Sequence, residues 1–530
     1  MAVASAEPAQ PACSLVPGLL LLWVVGCLLA LPGLGDPPLR DWDEATVARV
    51  ALELSRTEGT AVLLPTLWDQ PYLNKPPGLH GLIALLLRAW PGLEPPPEGW
   101  VRLIPALLST LVVPLGGLIQ WRLRPGERAA ALATAAILLT LLPLARHGRL
   151  AMLDGTQLSL IGLLWWQLLS IDRSRADRRR ALTAGLAGSG MLLLKAPLLL
   201  PVAVAAALPL LASGEERRRW RPQGLGWLGA GLLPGLAWHL WHGAVRGGDA
   251  LWLWGGDGAG RVLLDAGEGS DLGWRVPLTE LLEGGWPWLL LWPVALAWAW
   301  QQRNSRWGRW ALALQMVLAA SILPLKTQLP WYSHPLWLPF AVLCGPVLAW
   351  LIEQPHPPAA PPWRGLLLQV PKVWLGLGVL LLLAAAGTGL GWIPLPGELV
   401  GVALACGLGW SSGGLLLLAN RLSRRRIGAA ALTGGSVLGL AVLLQGPLWL
   451  WELQETWPVQ APAALALSVK EPVALLGHDE RPSLNWYAGQ RIRRHRQSEP
   501  AAWLLMGPAG TDEDPPKTAC RWPARAGGSC

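Results

Sequence analysis

Residues 14–34 read SLVPGLLLLWVVGCLLALPGL and contain no charged side chain. A helix needs about 20 mainly apolar residues to cross a hydrocarbon core about 30 Å thick. Comparable runs recur along the 530-residue chain, which is 52% hydrophobic and only 15% charged, whereas soluble chains carry about 25% charged residues. The sequence therefore predicts an all-α polytopic membrane protein whose residues 14–34 form a retained first span.

The number of spans follows from the apolar runs and from the proline, glycine and charged residues between them. About 13 transmembrane helices are predicted, at residues 14–34, 101–120, 129–146, 150–171, 181–196, 198–213, 224–245, 282–301, 308–325, 332–352, 366–390, 395–420 and 428–452. The fifth and sixth are short and meet at Lys195, Ala196 and Pro197.

Arginine clusters in alternate connections predict the orientation of these helices. An excess of Lys and Arg marks cytoplasmic loops, so clusters such as residues 173–180, 217–221 and 421–426 predict a cytoplasmic N-terminus and an extracytoplasmic C-terminus. The net charge of +9 belongs to these clusters. Because no stacking aromatic residues interleave with them, the charge does not indicate nucleic-acid binding.

Three segments are too polar to span, and all three fall on the predicted outer face: the first outer loop, residues 246–279 and the tail. A transmembrane domain at residues 1–452 would contain a first outer loop, 35–100, with interfacial helices. The tail, 453–530, is predicted to be a small extracytoplasmic α/β domain, since residues 472–476 and 502–506 have the apolar composition of short buried strands.

The first outer loop contains the stretch RDWDEATVARVALEL at residues 40–54. Apolar residues recur at helical spacing from Val47 to Leu54, which predicts an amphipathic helix. Asp43 and Glu44 fall at its N-terminal end, where acidic residues stabilise a helix through its dipole. These two acids are therefore open to both a structural and a catalytic interpretation.

Residues 72–77 of the same loop read YLNKPP. A lysine followed by two stiffening prolines near the membrane surface suits a phosphate headgroup, because an ammonium group offers a point charge and three donors. The alternative for Lys75 is a lysine that extends its charge from the membrane to the interface.

Other charges fall on the same predicted face of the membrane. Asp154 begins an apolar run, where an unpaired carboxylate would be costly, and Lys195 and Lys326 lie at the ends of other runs. Together with Asp43 and Lys75 they suit an anionic lipid substrate and a nucleophile that needs a general base.

Four motifs, in order along the chain, resemble those of the polyprenyl-phosphate-dependent glycosyltransferases of the GT-C fold. The likeness is to the branch that contains the bacterial aminoarabinose transferases and the protein mannosyltransferases. The motifs are Asp43-Glu44 and residues 72–77 (YLNKPP), 149–154 (RLAMLD) and 326–335 (KTQLPWYSHP). A weaker likeness surrounds Arg261, and the resemblance covers roughly residues 15–350.

This resemblance implies a GT-C-type inverting glycosyltransferase of the bacterial plasma (inner) membrane. It would move a sugar from a polyprenyl-phosphate donor to a lipid, glycan or protein acceptor on the outer face. Asp43 would take the proton from the acceptor hydroxyl, and the catalytic set would also include Glu44 and Asp154. Donor and lipid-phosphate binding is implied for Lys75, Tyr72, Arg261, Lys326, Tyr332 and Lys195.

Some positions depart from the family pattern. Thr46 and Val47 stand where the family often has Arg and Tyr, and Asn74 replaces a Glu that helps to hold a metal in some members. The sequence therefore assigns no residue as a metal ligand and predicts no definite cofactor; a divalent metal stays open as an alternative, and Asn74 argues against it.

Two other functional classes stay open from the residues alone. The same charges could bind the solute of a transporter or flippase for a lipid-linked or anionic compound, although such proteins tend to place charges near mid-span and to show internal repeats. A non-catalytic subunit that keeps the fold is the third interpretation.

Overall fold

The computed structural model describes residues 15–92, 95–174, 177–251, 275–325, 327–354, 360–446, 448–450, 458–469, 472–476, 479–495, 503–506 and 519–521. The helices in these residues are α1 (Val16–Ala30), α2 (Thr46–Ser55), α3 (Gly78–Leu87), α4 (Glu98–Thr110), α5 (Val112–Leu123), α6 (Arg128–Thr140), α7 (Leu142–His147), α8 (Leu153–Leu169), α9 (Asp177–Lys195), α10 (Leu199–Ala212), α11 (Gly214–Arg219), α12 (Pro222–Arg246), α13 (Val276–Gly284), α14 (Trp292–Gln301), α15 (Arg306–Ile322), α16 (His334–Glu353), α17 (Arg364–Leu367), α18 (Val370–Gly389), α19 (Gly397–Leu417), α20 (Leu422–Leu443), α21 (Gln460–Ser468) and α22 (Pro482–Ala488). The strands are β1 (Thr66–Leu67), β2 (Gln70–Pro71), β3 (Val473–Leu476), β4 (Trp503–Met506) and β5 (Ala519–Arg521).

The chain divides into two compact units. The first unit comprises Met1–Pro32, Pro105–Arg149 and Leu153–Trp449. The second unit comprises Gly33–Ile104, Leu150–Met152 and Leu450–Cys530, and so joins the first outer loop with the tail.

Six helical segments among the described residues are long and apolar enough to cross a membrane, judged by length and composition. They are Glu98–Leu123, Asp177–Ala212, Pro330–Glu353, Arg364–Gly389, Gly397–Leu417 and Leu422–Leu443. Every segment predicted to span contains helix, although the last, 428–452, is helical only as far as Leu443. The architecture is thus that of a mainly helical, multi-pass membrane protein, as the sequence predicts.

Prolines follow two helix breaks, one inside the span predicted at 129–146 and one at the predicted junction of the fifth and sixth spans. Proline has no N–H to donate within a helix, and the chain is extended at Leu141 (ψ 116°), just before Pro143 in α7. Lys195 leaves the helical region (φ −143°, ψ 79°) at the end of α9, before a 3₁₀ turn that contains Pro197. Helix α9 therefore ends at Lys195, and the short helix α7, which begins after the first break, ends at the basic residues Arg146 and His147.

Tryptophan supplies the large aromatic side chains in the aliphatic core of the first unit, since the chain has 35 Trp and only one Phe. An indole N–H buried in an apolar interior needs an acceptor. Trp288 donates to the hydroxyl of Thr140 at 2.8 Å, and Trp374 donates to the carbonyl of Pro287 at 2.9 Å. These bonds link helices that are distant in sequence.

Glycines bring α19 and α20 close together. A Cβ atom on Gly409 would lie only 2.4 Å from the Cα atom of Gly435. Small residues allow such close backbone packing where helices lack a hydrophobic driving force between them.

In the second unit, α2 has the predicted amphipathic character. Its residues Val50 and Leu54 form a small core with Tyr72 and with Ala84 of α3. Strands β1 and β2 form an antiparallel hairpin whose turn, Trp68 and Asp69, has φ of 54° and 61°.

The tail contains a parallel sheet in the order β3-β4-β5. Strands predicted at residues 472–476 and 502–506 are present as β3 and β4, whereas β5 was not predicted. Helices α21 and α22 pack on each other, and Leu475 of β3 joins their apolar cluster.

Candidate active site

The Asp43-Glu44 motif of the first loop lies in a π-helical turn, Asp41–Ala45, that leads directly into α2. Single π turns are rare and occur often at functional sites. The turn places Glu44 in the interior of the second unit and leaves Asp43 half-buried. Adjacent acids that look alike in sequence thus have different environments.

Glu44 is fully buried and fully bonded. Its Oε1 and Oε2 accept from Nε and Nη2 of Arg102 at 2.8 and 2.7 Å, and backbone N–H groups of Ala151 and Arg40 donate to it at 2.7 and 3.1 Å. Burial by itself raises the pKa of Glu44, but the charge and hydrogen bonds of Arg102 outweigh it and hold this pKa below its ordinary value. Glu44 is therefore an ionised carboxylate whose two oxygens are both occupied.

Arg102 is a residue that the motif analysis missed. Its guanidinium also donates to the carbonyls of Leu34, Pro37 and Pro38 at 3.0, 2.7 and 3.0 Å. The signal in the sequence was a lone arginine at the start of a predicted span, where a charge is costly unless it has a partner. Arg102 fixes the segment that leads from the first span to the Asp43 turn.

Asp43, Tyr72 and Lys75 lie in one polar cluster with His80. Burial, followed by the charge of Asp43, raises the pKa of Tyr72, and the rings of Tyr72 and His80 are 5.8 Å apart. Burial lowers the pKa of His80 to about 4, with a smaller contribution in the same direction from Lys75. The three predicted residues of this loop are therefore neighbours of one ring pair, since Asp43 acts on Tyr72 and Lys75 acts on His80.

Glu53 is a second structural carboxylate that the sequence analysis did not single out. It accepts from the Thr66 hydroxyl at 2.6 Å and from the Trp68 N–H at 2.7 Å, and it pairs with Arg49 at 2.7 Å. These bonds hold the left-handed turn of the β1–β2 hairpin, after which residues 72–77 begin. The signal in the sequence for a structural role was the position of Glu53, an acidic residue on the apolar side of an amphipathic helix.

The first unit brings together three other predicted residues. Nζ of Lys195 lies 2.9 Å from Oδ1 of Asp154, and these side chains are 24% and 12% exposed. The same Nζ lies 4.7 Å from the ring centroid of Tyr332, within the range of a cation–π interaction. The pair is only partly exposed, in contrast to the fully buried pair of Glu44 and Arg102.

A buried pair of histidines, His147 and His334, also lies in the first unit. Nδ1 of His147 and Nε2 of His334 are 3.0 Å apart, and both rings are 1% exposed. One ring must donate and the other accept. The pair ties the end of α7 to the start of α16, next to the 3₁₀ turn that carries Tyr332, and no motif predicted it.

Two predicted site residues and one further motif residue remain. Arg261 and Lys326 lie outside the described residues. Arg149, in the RLAMLD motif, is buried and donates to the carbonyls of Leu444, at 2.8 Å, and Pro32. Within the described part of the chain, no group of three or more His, Cys, Asp or Glu residues is arranged to hold a metal ion.

Comparison with known proteins agrees with the motifs. No protein-family model matches the sequence. The chain is 28% identical over 449 residues to an undecaprenyl phosphate-alpha-4-amino-4-deoxy-L-arabinose arabinosyl transferase from Pectobacterium carotovorum subsp. carotovorum (strain PC1), which covers 81% of this chain and 75% of that protein.

Solved structures show the fold. The crystal structure of ArnT from Cupriavidus metallidurans in the apo state superposes with a TM-score of 0.65 at 15% identity, covering 95% of this chain and 87% of that one. The same protein bound to undecaprenyl phosphate gives a TM-score of 0.63 at 16% identity, covering 92% and 87%. The resemblance drawn from four short motifs is thereby confirmed: this chain is a multi-pass membrane protein with the GT-C fold of the aminoarabinose transferases.

Proposed function

We propose that this protein is an inverting membrane glycosyltransferase that moves a sugar from a polyprenyl-phosphate donor to a lipid, glycan or protein acceptor. The observation that carries the proposal is the position of Asp43, which is half-buried and directly precedes Glu44 in the π-helical turn. Arg102 binds Glu44, and the chain has the fold of a transferase solved with undecaprenyl phosphate bound. A fixed carboxylate beside a lysine supplies the base and the phosphate contact that such a reaction needs.

Asp43 is the proposed general base. It takes the proton of the acceptor hydroxyl while that oxygen bonds to the anomeric carbon, and the bond from this carbon to the lipid phosphate breaks. Lys75 stabilises the negative charge that develops on the departing phosphate. Tyr72 stays protonated and can donate a hydrogen bond to either anion.

Glu44 has a positioning role in this proposal instead of a role in proton transfer. Both of its oxygens bind the Arg102 guanidinium, so a proton on Glu44 would cost the energy of that ion pair. Its function is to hold the neighbouring Asp43 in place.

Asp154, Lys195 and Tyr332 are assigned to substrate orientation. Lys195 can exchange its contact with Asp154 for a phosphate oxygen, because both side chains of the pair are partly exposed. Asp154 is then available to accept from a sugar or acceptor hydroxyl. Arg261 and Lys326 keep their proposed phosphate contacts.

The membrane placement is also a proposal. The bacterial inner membrane is proposed from the relatives and about 13 spans from the apolar runs. A cytoplasmic N-terminus and an extracytoplasmic C-terminus are proposed from the arginine distribution. In the proposed division, residues 1–452 form the transmembrane domain and 453–530 a small extracytoplasmic domain. No nucleic-acid partner is proposed.

The direct test is sugar transfer by the purified protein. Wild type and Asp43→Asn are supplied with a panel of radiolabelled polyprenyl-phosphate sugars and a native membrane extract as acceptor. Loss of a general base reduces rates by about 10²- to 10⁴-fold, so label transfer should fall by that factor. Asp36→Asn, which alters an exposed carboxylate of the same loop, is the matched control and should transfer normally.

The competing class makes a different prediction in the same assay. A transporter or flippase would bind the donors equally well with and without Asp43 and would transfer no label from any of them. Both relatives described above are arabinosyl transferases, so that alternative gains no support from them.

A further inference from the structure

We infer that the C-terminal tail supplies positioning residues for the catalytic turn: Arg481, Ser483 and Tyr487 hold the chain on which Asp43 stands. The inference rests on the proposed function for the identity of the reaction. The motif resemblance assigns nothing to the tail, and all the contacts that carry the inference lie within the second unit.

The first contact is at Asp41, which begins the π-helical turn. Nε of Arg481 lies 2.8 Å from Oδ2 of Asp41, and the two side chains are 8% and 13% exposed. The backbone N–H of Ser483 donates to Oδ1 of Asp41 at 3.0 Å, and the Ser483 hydroxyl donates to the same oxygen. Two residues before Asp43, the turn is thus bound by the first turn of α22.

The second contact is at Leu39. Its backbone N–H donates to the hydroxyl oxygen of Tyr487 at 2.7 Å, and this hydroxyl donates to Oε1 of Glu98 at 2.7 Å. Burial, together with the hydrogen bond to Glu98, raises the pKa of Tyr487 and keeps the phenol protonated. Tyr487 therefore joins the loop to α4, the helix that also carries Arg102.

These contacts complete a two-sided clamp. Arg102 holds the carbonyls of residues 34, 37 and 38 and the side chain of Glu44, while the tail holds Leu39 and Asp41. Five residues between the first span and Asp43 are thus bound by one side of the clamp or the other, namely residues 34, 37, 38, 39 and 41. A base fixed in this way reacts without a further cost of ordering it, and a misplacement of about 1 Å can reduce a rate by about 10²-fold.

The tail is itself held firmly enough for this role. Leu475, Leu484 and Ile492 are fully buried in its apolar cluster, and the Asn485 side chain accepts from the backbone N–H of Ile492 at 2.8 Å. Side chains locked by their own packing make good supports for a reactive group. Arg481 and Ser483 are therefore presented at a defined position.

The experiment measures donor kinetics for full-length Arg481→Gln, Ser483→Ala and Tyr487→Phe, each alone and combined. We expect kcat to fall by about 10- to 100-fold in the combined variant while KM for the donor changes less than about threefold, because the base moves and the donor contacts do not. Arg481→Lys should recover part of kcat, since it restores the charge opposite Asp41. Arg491→Gln is the matched control, because Arg491 pairs with Glu480 inside the tail at 2.8 Å, and it should leave both parameters unchanged.

A second readout separates positioning from general destabilisation. Amide hydrogen exchange should accelerate in residues 34–45 of the variants while the apolar core of the tail keeps its protection. Tyr487→Phe loses only one hydroxyl, so this variant tests the inference even where Arg481→Gln fails to fold. Wild-type transfer together with unchanged kcat in the variants overturns this inference and leaves the proposed function standing. An inactive wild type overturns the proposed function, and this inference falls with it.

Discussion

The charges of the first loop and those at the ends of α8 and α9 look alike in the sequence but differ in the structure. Glu44 and Arg102 are both fully buried and share two close contacts, whereas Asp154 and Lys195 are 12% and 24% exposed and share one. Removing one partner of a buried ion pair is very costly because the other charge is left buried, without a partner and without water. An exposed ion pair contributes little to stability. The degree of burial therefore separates a structural pair from one that can exchange partners.

This difference matches the proposed chemistry. A general base must be held still, and Asp43 stands beside the buried pair. A lipid phosphate must enter and leave, and Lys195 can release Asp154 and bind the phosphate without leaving a buried charge unsolvated. Three experiments test this difference in burial, beginning with the largest expected effect.

Glu44→Gln should destabilise the protein most. The change leaves Arg102 buried with no opposite charge, which costs about 3–5 kcal/mol. Chemical unfolding of the detergent-solubilised protein measures the free energy of unfolding, and Asp36→Asn serves as the exposed control. A Glu44→Gln protein as stable as that control would show that the buried pair is not structural.

His80 should make the stability depend on pH. Its pKa in the folded protein is about 4, against an ordinary value of 6.5, chiefly because of burial. The folded state thus binds its proton less readily, so the stability contributed by neutral His80 is complete above pH 6.5 and is lost as the pH falls towards 4. The loss is at most about 3 kcal/mol.

Comparison with His80→Gln isolates this effect from other titrating groups. The advantage of wild type over the variant should shrink between pH 7 and pH 4 in chemical unfolding at a series of pH values. Parallel stability curves for the two proteins would contradict a buried neutral imidazole.

Asp154→Asn should have the smallest effect on stability, below about 1 kcal/mol, because its pair with Lys195 is partly exposed. Lys195→Gln should be equally mild for folding but should raise KM for the donor several-fold, since it removes a phosphate contact. Unfolding and donor titration of the two variants provide the measurements. A loss of stability as large as that of Glu44→Gln would place this pair among the structural charges.

Much of the fold was predictable because long apolar runs leave the backbone few choices. In a hydrocarbon environment each backbone polar group must be satisfied within the chain, and a helix does this locally. The position of α1 was predicted in this way from its apolar length. Outside the predicted spans, the positions of α2, β3 and β4 were predicted from the periodicity and the composition of their apolar residues. The breaks at Leu141 and Lys195 also have a local cause in the prolines that follow them.

The partners of the candidate residues were not predictable in the same way. Arg102 lies 58 positions from Glu44, and Tyr487 lies 389 positions from Glu98. Neither pairing has a spacing that a periodic pattern could reveal, because each depends on how separate segments pack. The motif Asp43-Glu44 therefore could not show by itself which of its two acids has both carboxylate oxygens bonded.

The sequence by itself determined the membrane class, most helices, the motifs and hence the family likeness, since all of these depend on interactions between near neighbours in the chain or on short signatures. Tertiary structure alone decided that Glu44 is a buried support, that Asp154 pairs with Lys195, and that α22 binds the turn of Asp43. Those outcomes depend on contacts between residues 41 to 442 positions apart and on burial, which sets the free-energy cost of a charged group.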